Sequence, residues 1–245
     1  MVRKVGNDGD NFIIGTNGID YLYGRSGDDR INGLDGNDFI DGGEGNDRIN
    51  AGNGFNRIHG GDGNDHITAG RGGDQIFAGE GNDTVFAGGG HNRVMTGDGD
   101  DIISSGNGRD TIHAGEGNDR ITSGAGNDVL YGGEGDDRML GQMGHDRLVG
   151  GEGNDTLHGG FGNDTLTGGE GDDRFVFNGG RDRILDFEND DDQIDLSSFT
   201  RFDSFADVRG AAKQVGSDVV ITVGTNQLVI EDYRLNQMDR DDFIW

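Results

Sequence analysis

The sequence predicts an all-β solenoid, a rod of short stacked coils, and three observations predict it. A nine-residue unit runs nineteen times from Gly6 to Val176 without insertion or deletion, and a fixed period of this kind marks a repeat architecture. In every unit the fourth position is glycine and the eighth apolar, while the sixth is Asp in sixteen units and Asn (Asn11, Asn56, Asn92) in three. Alternate units also differ systematically, so the structural coil is two units long.

Each element of the unit has a physical reading. Glycines at positions one, two and four permit positive φ and a tight turn with exposed carbonyls. Positions seven to nine, as in His66-Ile67-Thr68, read as a short strand with one inward side chain. A flexible glycine linker would not hold nineteen apolar residues in phase. Counting units from Gly6, the third position of odd units is acidic at Asp8, Glu44, Asp62, Glu80, Asp98, Glu116, Glu134, Glu152 and Glu170, with Ser26 the exception. Among even units only Asp35 is acidic there. The fifth position is Asn or Asp in every odd unit, whereas even units keep Asn37, Asn127 and Asn163 and otherwise carry Ile19, Phe55, Gly73, His91, Arg109 and His145. Alternate units therefore occupy different environments, as expected if odd turns stack on one edge of the rod and even turns on the other. At about 4.8 Å per coil the nineteen units make a rod roughly 45 Å long.

Composition narrows the function. Of 245 residues only 30% are hydrophobic, thin for a globular core, and 51 are glycine with no proline, which excludes collagen. A net charge of −27 argues against nucleic acid and anionic membranes and favours cations. Without cysteine there is no disulfide and no thiolate metal site. No apolar run approaches the roughly 18 residues of a membrane span, and the N-terminal MVRKVGNDGD lacks the apolar stretch of a Sec signal.

The unit G-G-x-G-x-D-x-U-x resembles the repeats-in-toxin (RTX) nonapeptide over residues 6–176. The resemblance implies a right-handed parallel β-roll, two nonapeptides per coil, with a calcium ion between adjacent turns. The implied ligands are position-six carboxylates, Asp20, Asp29, Asp38, Asp47, Asp65, Asp74, Asp83, Asp101, Asp110, Asp119, Asp128, Asp137, Asp146, Asp155, Asp164 and Asp173, with glycine-loop carbonyls of Gly27, Gly36, Gly45, Gly63, Gly81, Gly99, Gly117, Gly126, Gly135, Gly153, Gly162 and Gly171. Stacked carboxylates about 5 Å apart repel by roughly 1 kcal/mol in water and by several times that near a protein surface. One apolar residue in nine does not offset backbone ordering at about 1–2 kcal/mol per residue, so the metal-free chain is expected to be largely unfolded. Calcium takes six to eight oxygens, whereas magnesium dehydrates reluctantly and suits such a cage poorly. Counting gaps between like units gives roughly 12–17 sites, tight on the odd edge and weaker near the middle of the even edge, where Asn56 and Asn92 interrupt the acids.

Residues 177–245 read as a capping and secretion-signal segment of short strands and a helix. The stretch DRILDFENDDDQIDLSSF (182–199) resembles the segment closing the roll in RTX proteins and serralysin-type proteases. Asp203 or Ser204 is placed to cap a short helix through Gln214. SDVVITVGTNQLVIEDY reads as two strands around a Gly-Thr-Asn turn, whose apolar residues cover the last coil as a solenoid requires. The terminal DDFIW is similar to type I secretion signals and serves equally as a final strand.

No HExxH, GxSxG or P-loop is present, and the carboxylates lie in repeat phase, so ligation rather than catalysis is expected. The six His lie scattered at positions five, seven and nine, which favours surface roles over a zinc site. Eight Arg at position seven (30, 48, 57, 93, 120, 138, 147, 174) balance charge or form a polyanion-binding stripe. The even edge also gathers Phe55, Met143 and Phe161, a candidate partner surface. The expected protein is a secreted, non-catalytic, extracellular calcium-binding RTX protein of a Gram-negative bacterium. It meets the type I secretion apparatus and folds on calcium outside as a structural, adhesive or host-interaction module for polysaccharide or a cell surface. The alternative is the C-terminal targeting module of a carbohydrate-active enzyme, such as an alginate epimerase. An ice-binding module lacks its outward Thr/Asn ladder here.

Overall fold

Two parallel sheets face each other, one built from even-unit strands and one from odd-unit strands; the computed structural model describes all 245 residues. The even sheet begins with Arg3–Val5, continues through Tyr21–Ser26 and Phe39–Glu44, and keeps parallel stacking to Arg181–Ile184. The odd sheet runs from Phe12–Ile14 and Arg30–Asn32 to Gln193–Asp195 and Phe243–Ile244, twelve strands in all. Pairing is in strict register with an eighteen-residue step: Leu22 opposes Ile40, and Ile40 opposes Ile58.

The register follows from the unit. Period-two alternation sends position eight inward while positions seven and nine point out. All nineteen position-eight residues, Ile13 through Phe175, are buried in one continuous core of 41 residues. The eight position-seven arginines all lie exposed on the outer faces. Each coil rests only on its neighbours, as expected of a solenoid.

Stacking extends beyond the nineteen units at both ends, to twelve parallel strands in the even sheet, the last of them Asn226–Ile230. Arg3–Val5 pairs with Tyr21–Ser26 ahead of the repeats. After Val176 the phase persists once more: Gly180, Asp182 and Ile184 occupy positions four, six and eight, and Ile184 pairs with Leu166.

The C-terminal segment closes that end. Asn226–Ile230 adds in parallel to Arg181–Ile184, and Asp218–Val223 and Ala212–Val215 follow antiparallel. Val219, Ile221, Leu228 and Ile230 are buried against the last coils. The helix spans Phe205–Ala211 and stops short of the expected Gln214. Residues 212–215 are extended because Lys213 and Gln214 pair with Val220 and Val219. Ser204 precedes the helix, but its hydroxyl donates to the Asp207 carboxylate (2.6 Å) and not the expected backbone cap. The terminal Phe243–Ile244 is a strand against Gln193–Asp195, with Phe243 buried. No helix is long and apolar enough to cross a membrane.

Candidate metal centre

The loops joining the two sheets form the edges of the roll, and each carries one position-six carboxylate per coil. Within each edge these carboxylates form a ladder. Asp29 donates its backbone N–H to Oδ1 of Asp47 (2.7 Å), Asp47 donates to Asp65 (2.7 Å), and Asp65 to Asp83 (2.7 Å). The even edge does the same, from Asp128 to Asp146 and from Asp146 to Asp164 (2.9 Å each). Asn does not break the ladder, because Asn56 and Asn92 accept from Asp38 and Asp74 through their amide oxygens (3.0 Å each).

Oδ1 is thereby satisfied and Oδ2 is not. From Asp29 to Asp173 every position-six Asp is at most 2% exposed, and its Oδ2 has no hydrogen-bond partner. A buried carboxylate oxygen without a donor is costly and calls for a counter-ion. Asp20 differs, since the Thr16 hydroxyl donates to its Oδ2 (2.9 Å).

What Oδ2 faces is set by position one. A Cβ placed on Gly33 would stand 2.6 Å from Oδ2 of Asp38 and 2.5 Å from the carbonyl oxygen of Ala51, one coil on. At Gly42 the Asp47 Oδ2 crowds the same point more closely, with the Gly60 carbonyl at 2.5 Å, and at Gly150 the Asp155 Oδ2 does so, with the Gly168 carbonyl at 2.6 Å. A carboxylate oxygen and a carbonyl oxygen from successive coils therefore stand close together beside the position-one glycine. No three carboxylate or imidazole side chains meet anywhere, so an ion at these edges takes backbone carbonyls as well. An all-oxygen set at about 2.3–2.6 Å is calcium chemistry.

Position one is not a turn position, which corrects the expectation that its glycines serve positive φ. Positive φ falls at positions two and four, for example Gly43 (113°) and Gly45 (122°), and even non-glycine Arg25 at position two has φ 90°. At position four a Cβ on Gly45 would sit 2.5 Å from the Gly27 carbonyl oxygen, so glycine there serves close stacking of coils as well. The carbonyl that shares this crowded point with Oδ2 is that of position one in the next coil, which lies outside the expected ligand set. The available signal was its size: in all nineteen units it is Gly, Ala, Ser or Thr.

Electrostatics agree with a missing counter-charge. Burial, strengthened by the neighbouring Asp65 and Asp101 carboxylates and opposed by the Asp65 N–H, pushes Asp83 up to about 8. Burial does the same to Asp155, up to about 8, with Asp137 and Asp173 adding to the rise.

Three further acids join the ladders outside the expected set. Asp164 donates to Asp182 (3.0 Å), Asp173 donates to Asp192 (2.9 Å), and Asp186 accepts from Gly168 (3.0 Å). Repeat phase would have found Asp182, but the extra residue before Asp192 hides it. The odd-edge Asn and Asp at position five form a second, exposed ladder, Asn64 to Asn46 (2.8 Å) and Asn82 to Asn64 (2.6 Å). His91 and His145 take the same role on the even edge, accepting at Nδ1 from Arg109 (2.7 Å) and Asn163 (2.9 Å). Ile19, Phe55 and Gly73 offer no acceptor there.

A parallel roll with a row of orphaned carboxylate oxygens at each edge defines a cation-bridged repeat protein. The chain belongs to the RTX calcium-binding nonapeptide repeat family, whose four-copy profile matches residues 5–40, 41–76, 59–94, 77–112, 86–121, 113–148 and 149–184. It is a calcium-binding β-roll. No curated protein sequence matches the chain. Among solved structures it is similar to the extracellular lipase LipA from Serratia marcescens, with 20% identity and TM-score 0.44, over 78% of this chain and 40% of that chain. It is also similar to the AlgE6R3 subunit of the Azotobacter vinelandii mannuronan C5-epimerase, with 25% identity and TM-score 0.39, over 51% of this chain and 78% of that chain. The chain thus spans less than half the length of the lipase it matches.

Proposed function

We propose that this chain is a secreted, non-catalytic RTX module that is exported unfolded by a type I apparatus and folds on calcium outside a Gram-negative cell. The observation that carries the reading is the row of buried, partnerless Oδ2 atoms from Asp29 to Asp173, interrupted only at Asn56 and Asn92. These carboxylates repel one another where calcium is scarce, and calcium bound only by the folded roll stabilises it by mass action. The position-six Asp side chains and loop carbonyls hold the ions, and the position-four glycines let the coils approach. Bound calcium supplies the positive charge between coils; the apolar file and the backbone ladders supply everything else. Once folded, the rod acts as a structural, adhesive or host-interaction element.

A targeting role in a carbohydrate-active enzyme is the second reading, favoured by the outer face of the even sheet. There Phe39, His59 and Phe77 follow one another at centroid distances of 5.5 and 4.9 Å, and His113 stacks on Tyr131 at 4.5 Å. These half-buried rings stack on one another along one strip, which a glycan would meet at the ring edges and at the ends of each stack.

Co-expression with a type I exporter tests the main reading. The full chain is expected in the medium, and removal of residues 241–245 is expected to retain it in the cell. Retention of the full chain would refute export by this route. Binding of the calcium-loaded rod to neutral or acidic glycans, weakened by Phe77→Ser, would favour the second reading.

A further inference from the structure

Position one varies along the roll in a way the coil does not require. It is glycine in the units carrying Asp29, Asp38, Asp47 and Asp65 at one end, and in the five units carrying Asp137 to Asp173 at the other. Across the seven consecutive units between, residues 69–131, it is never glycine; it runs from Ala69 to Ser123 through Ala or a hydroxyl residue. Backbone geometry does not explain the difference, because the position-one glycines Gly24, Gly33, Gly42 and Gly150 are all absent from the left-handed region. The coil hydrogen bond from position one is also the same with either residue: Gly33 donates to Asn50 at 2.8 Å and Ala69 to Phe86 at 2.9 Å. What glycine leaves open is the gap between Oδ2 and the next position-one carbonyl.

In the middle of the roll that gap holds a side chain. The Thr96 hydroxyl donates to the Ala114 carbonyl (2.9 Å), Ser105 to the Ser123 carbonyl (2.9 Å), and Ser123 to the Gly141 carbonyl (3.0 Å). All three hydroxyl residues are at most 1% exposed. Each thus spends the carbonyl that, in a glycine unit, faces the carboxylate, and each does so with a neutral donor. The coils there keep their Oδ1 ladder intact, as between Asp83 and Asp101 (2.7 Å) and between Asp110 and Asp128 (2.8 Å).

We propose that the roll binds calcium in two blocks, one at each end, and none across residues 69–131 at calcium concentrations that fill the ends, because the position-one side chains close the carboxylate–carbonyl gap. Glycine-lined gaps in which an orphaned Oδ2 meets the next coil's carbonyl number seven, four in the first block and three in the second; at Gly159 and Gly168 the carboxylate crowds the site without that carbonyl. This is below the count that position-six carboxylates alone suggest, and it interrupts the odd edge as well as the even one, at Ala78, Thr96 and Ala114. The inference rests on the reading that these gaps hold calcium.

Native mass spectrometry of the full chain with stepwise calcium addition, beside the triple variant Thr96→Gly/Ser105→Gly/Ser123→Gly, tests it. The wild type is expected to saturate near seven ions and the triple variant to take up three more, while Gly42→Ser loses one. An unchanged count in both variants overturns the proposal. Long-wavelength anomalous maps of calcium-grown wild-type crystals keep the question decidable if a variant fails to fold. Peaks confined to the two ends support two blocks, and equal peaks beside Thr96, Ser105 and Ser123 refute them. Absence of calcium throughout would overturn both this inference and the calcium reading beneath it, an outcome distinct from even loading.

Discussion

Asp29 and Asp47, one coil apart, share a single hydrogen bond from the backbone N–H of the first to Oδ1 of the second (2.7 Å), and Oδ2 of each is left buried and unpartnered. The same side chain therefore does two jobs. One oxygen knits successive coils together, and the other waits for a cation.

Asn and Ala at position six separate those jobs. Asp65→Asn keeps an acceptor for the Asp47 N–H, as Asn56 does for Asp38. It is expected to shift the calcium midpoint upward while leaving the saturated rod near wild-type stability. Asp65→Ala also strands that buried N–H, which costs about a further 1–3 kcal/mol. Urea unfolding at saturating calcium reads the difference; equal stability of the two variants contradicts the ladder.

Backbone geometry makes position two intolerant where glycine now stands. Gly43 has φ 113°, and a Cβ there would overlap the Arg25 carbonyl oxygen. Gly43→Ala is expected to lose at least about 1–3 kcal/mol from backbone strain alone. Gly24→Ala, in ordinary φ, carries no dihedral strain, but its Cβ would crowd the Asp29 carboxylate and the Gly42 carbonyl, so it is expected to weaken calcium binding and coil stacking together. Thermal melts over a series of calcium concentrations distinguish the two: the deficit of Gly43→Ala persists at saturation, and that of Gly24→Ala varies with calcium.

The apolar file is thin, so each member counts. Ile112 is fully buried between Val94 and Leu130, and Ile112→Ala is expected to cost about 2–5 kcal/mol. Because contacts reach only adjacent coils, hydrogen exchange is expected to quicken near residues 94–130 and to stay unchanged at the first coils. Uniform quickening along the rod would contradict this.

Protons are expected to stand in partly for calcium. In the folded, chelated chain burial raises Asp83, Asp119 and Asp155 to about 8, from an ordinary 3.8. A carboxyl raised on folding favours the folded state fully below its ordinary value, and that contribution is lost as pH rises through about 8. Strand content in excess EGTA is therefore expected to increase as pH falls from about 9 to about 6. A flat profile by circular dichroism contradicts it.

Much of this was legible from residue spacing because a solenoid converts sequence period directly into contact. Ile40 meets Ile58 since they are eighteen residues apart, and the odd-edge preference for Asn at positions such as 46 and 64 is the signature of the exposed ladder. The role of position one was hidden, because glycine there looks like another turn residue until the Oδ2 of Asp38 and the carbonyl of Ala51 are seen to converge beside Gly33. The cap was legible as strands but not as pairings. Nothing periodic links Leu228 to Asp182, or Phe243 to Ile194, and those contacts depend on chain closure over long separations.

The most direct measurement is far-ultraviolet circular dichroism with sedimentation velocity on the purified full chain, first in excess EGTA at neutral pH and then under calcium titration. A largely unstructured, expanded polyanion that gains strand signal and compacts as calcium is added is the predicted result. A chain already compact and strand-rich after complete chelation, and unaltered by calcium, would contradict it.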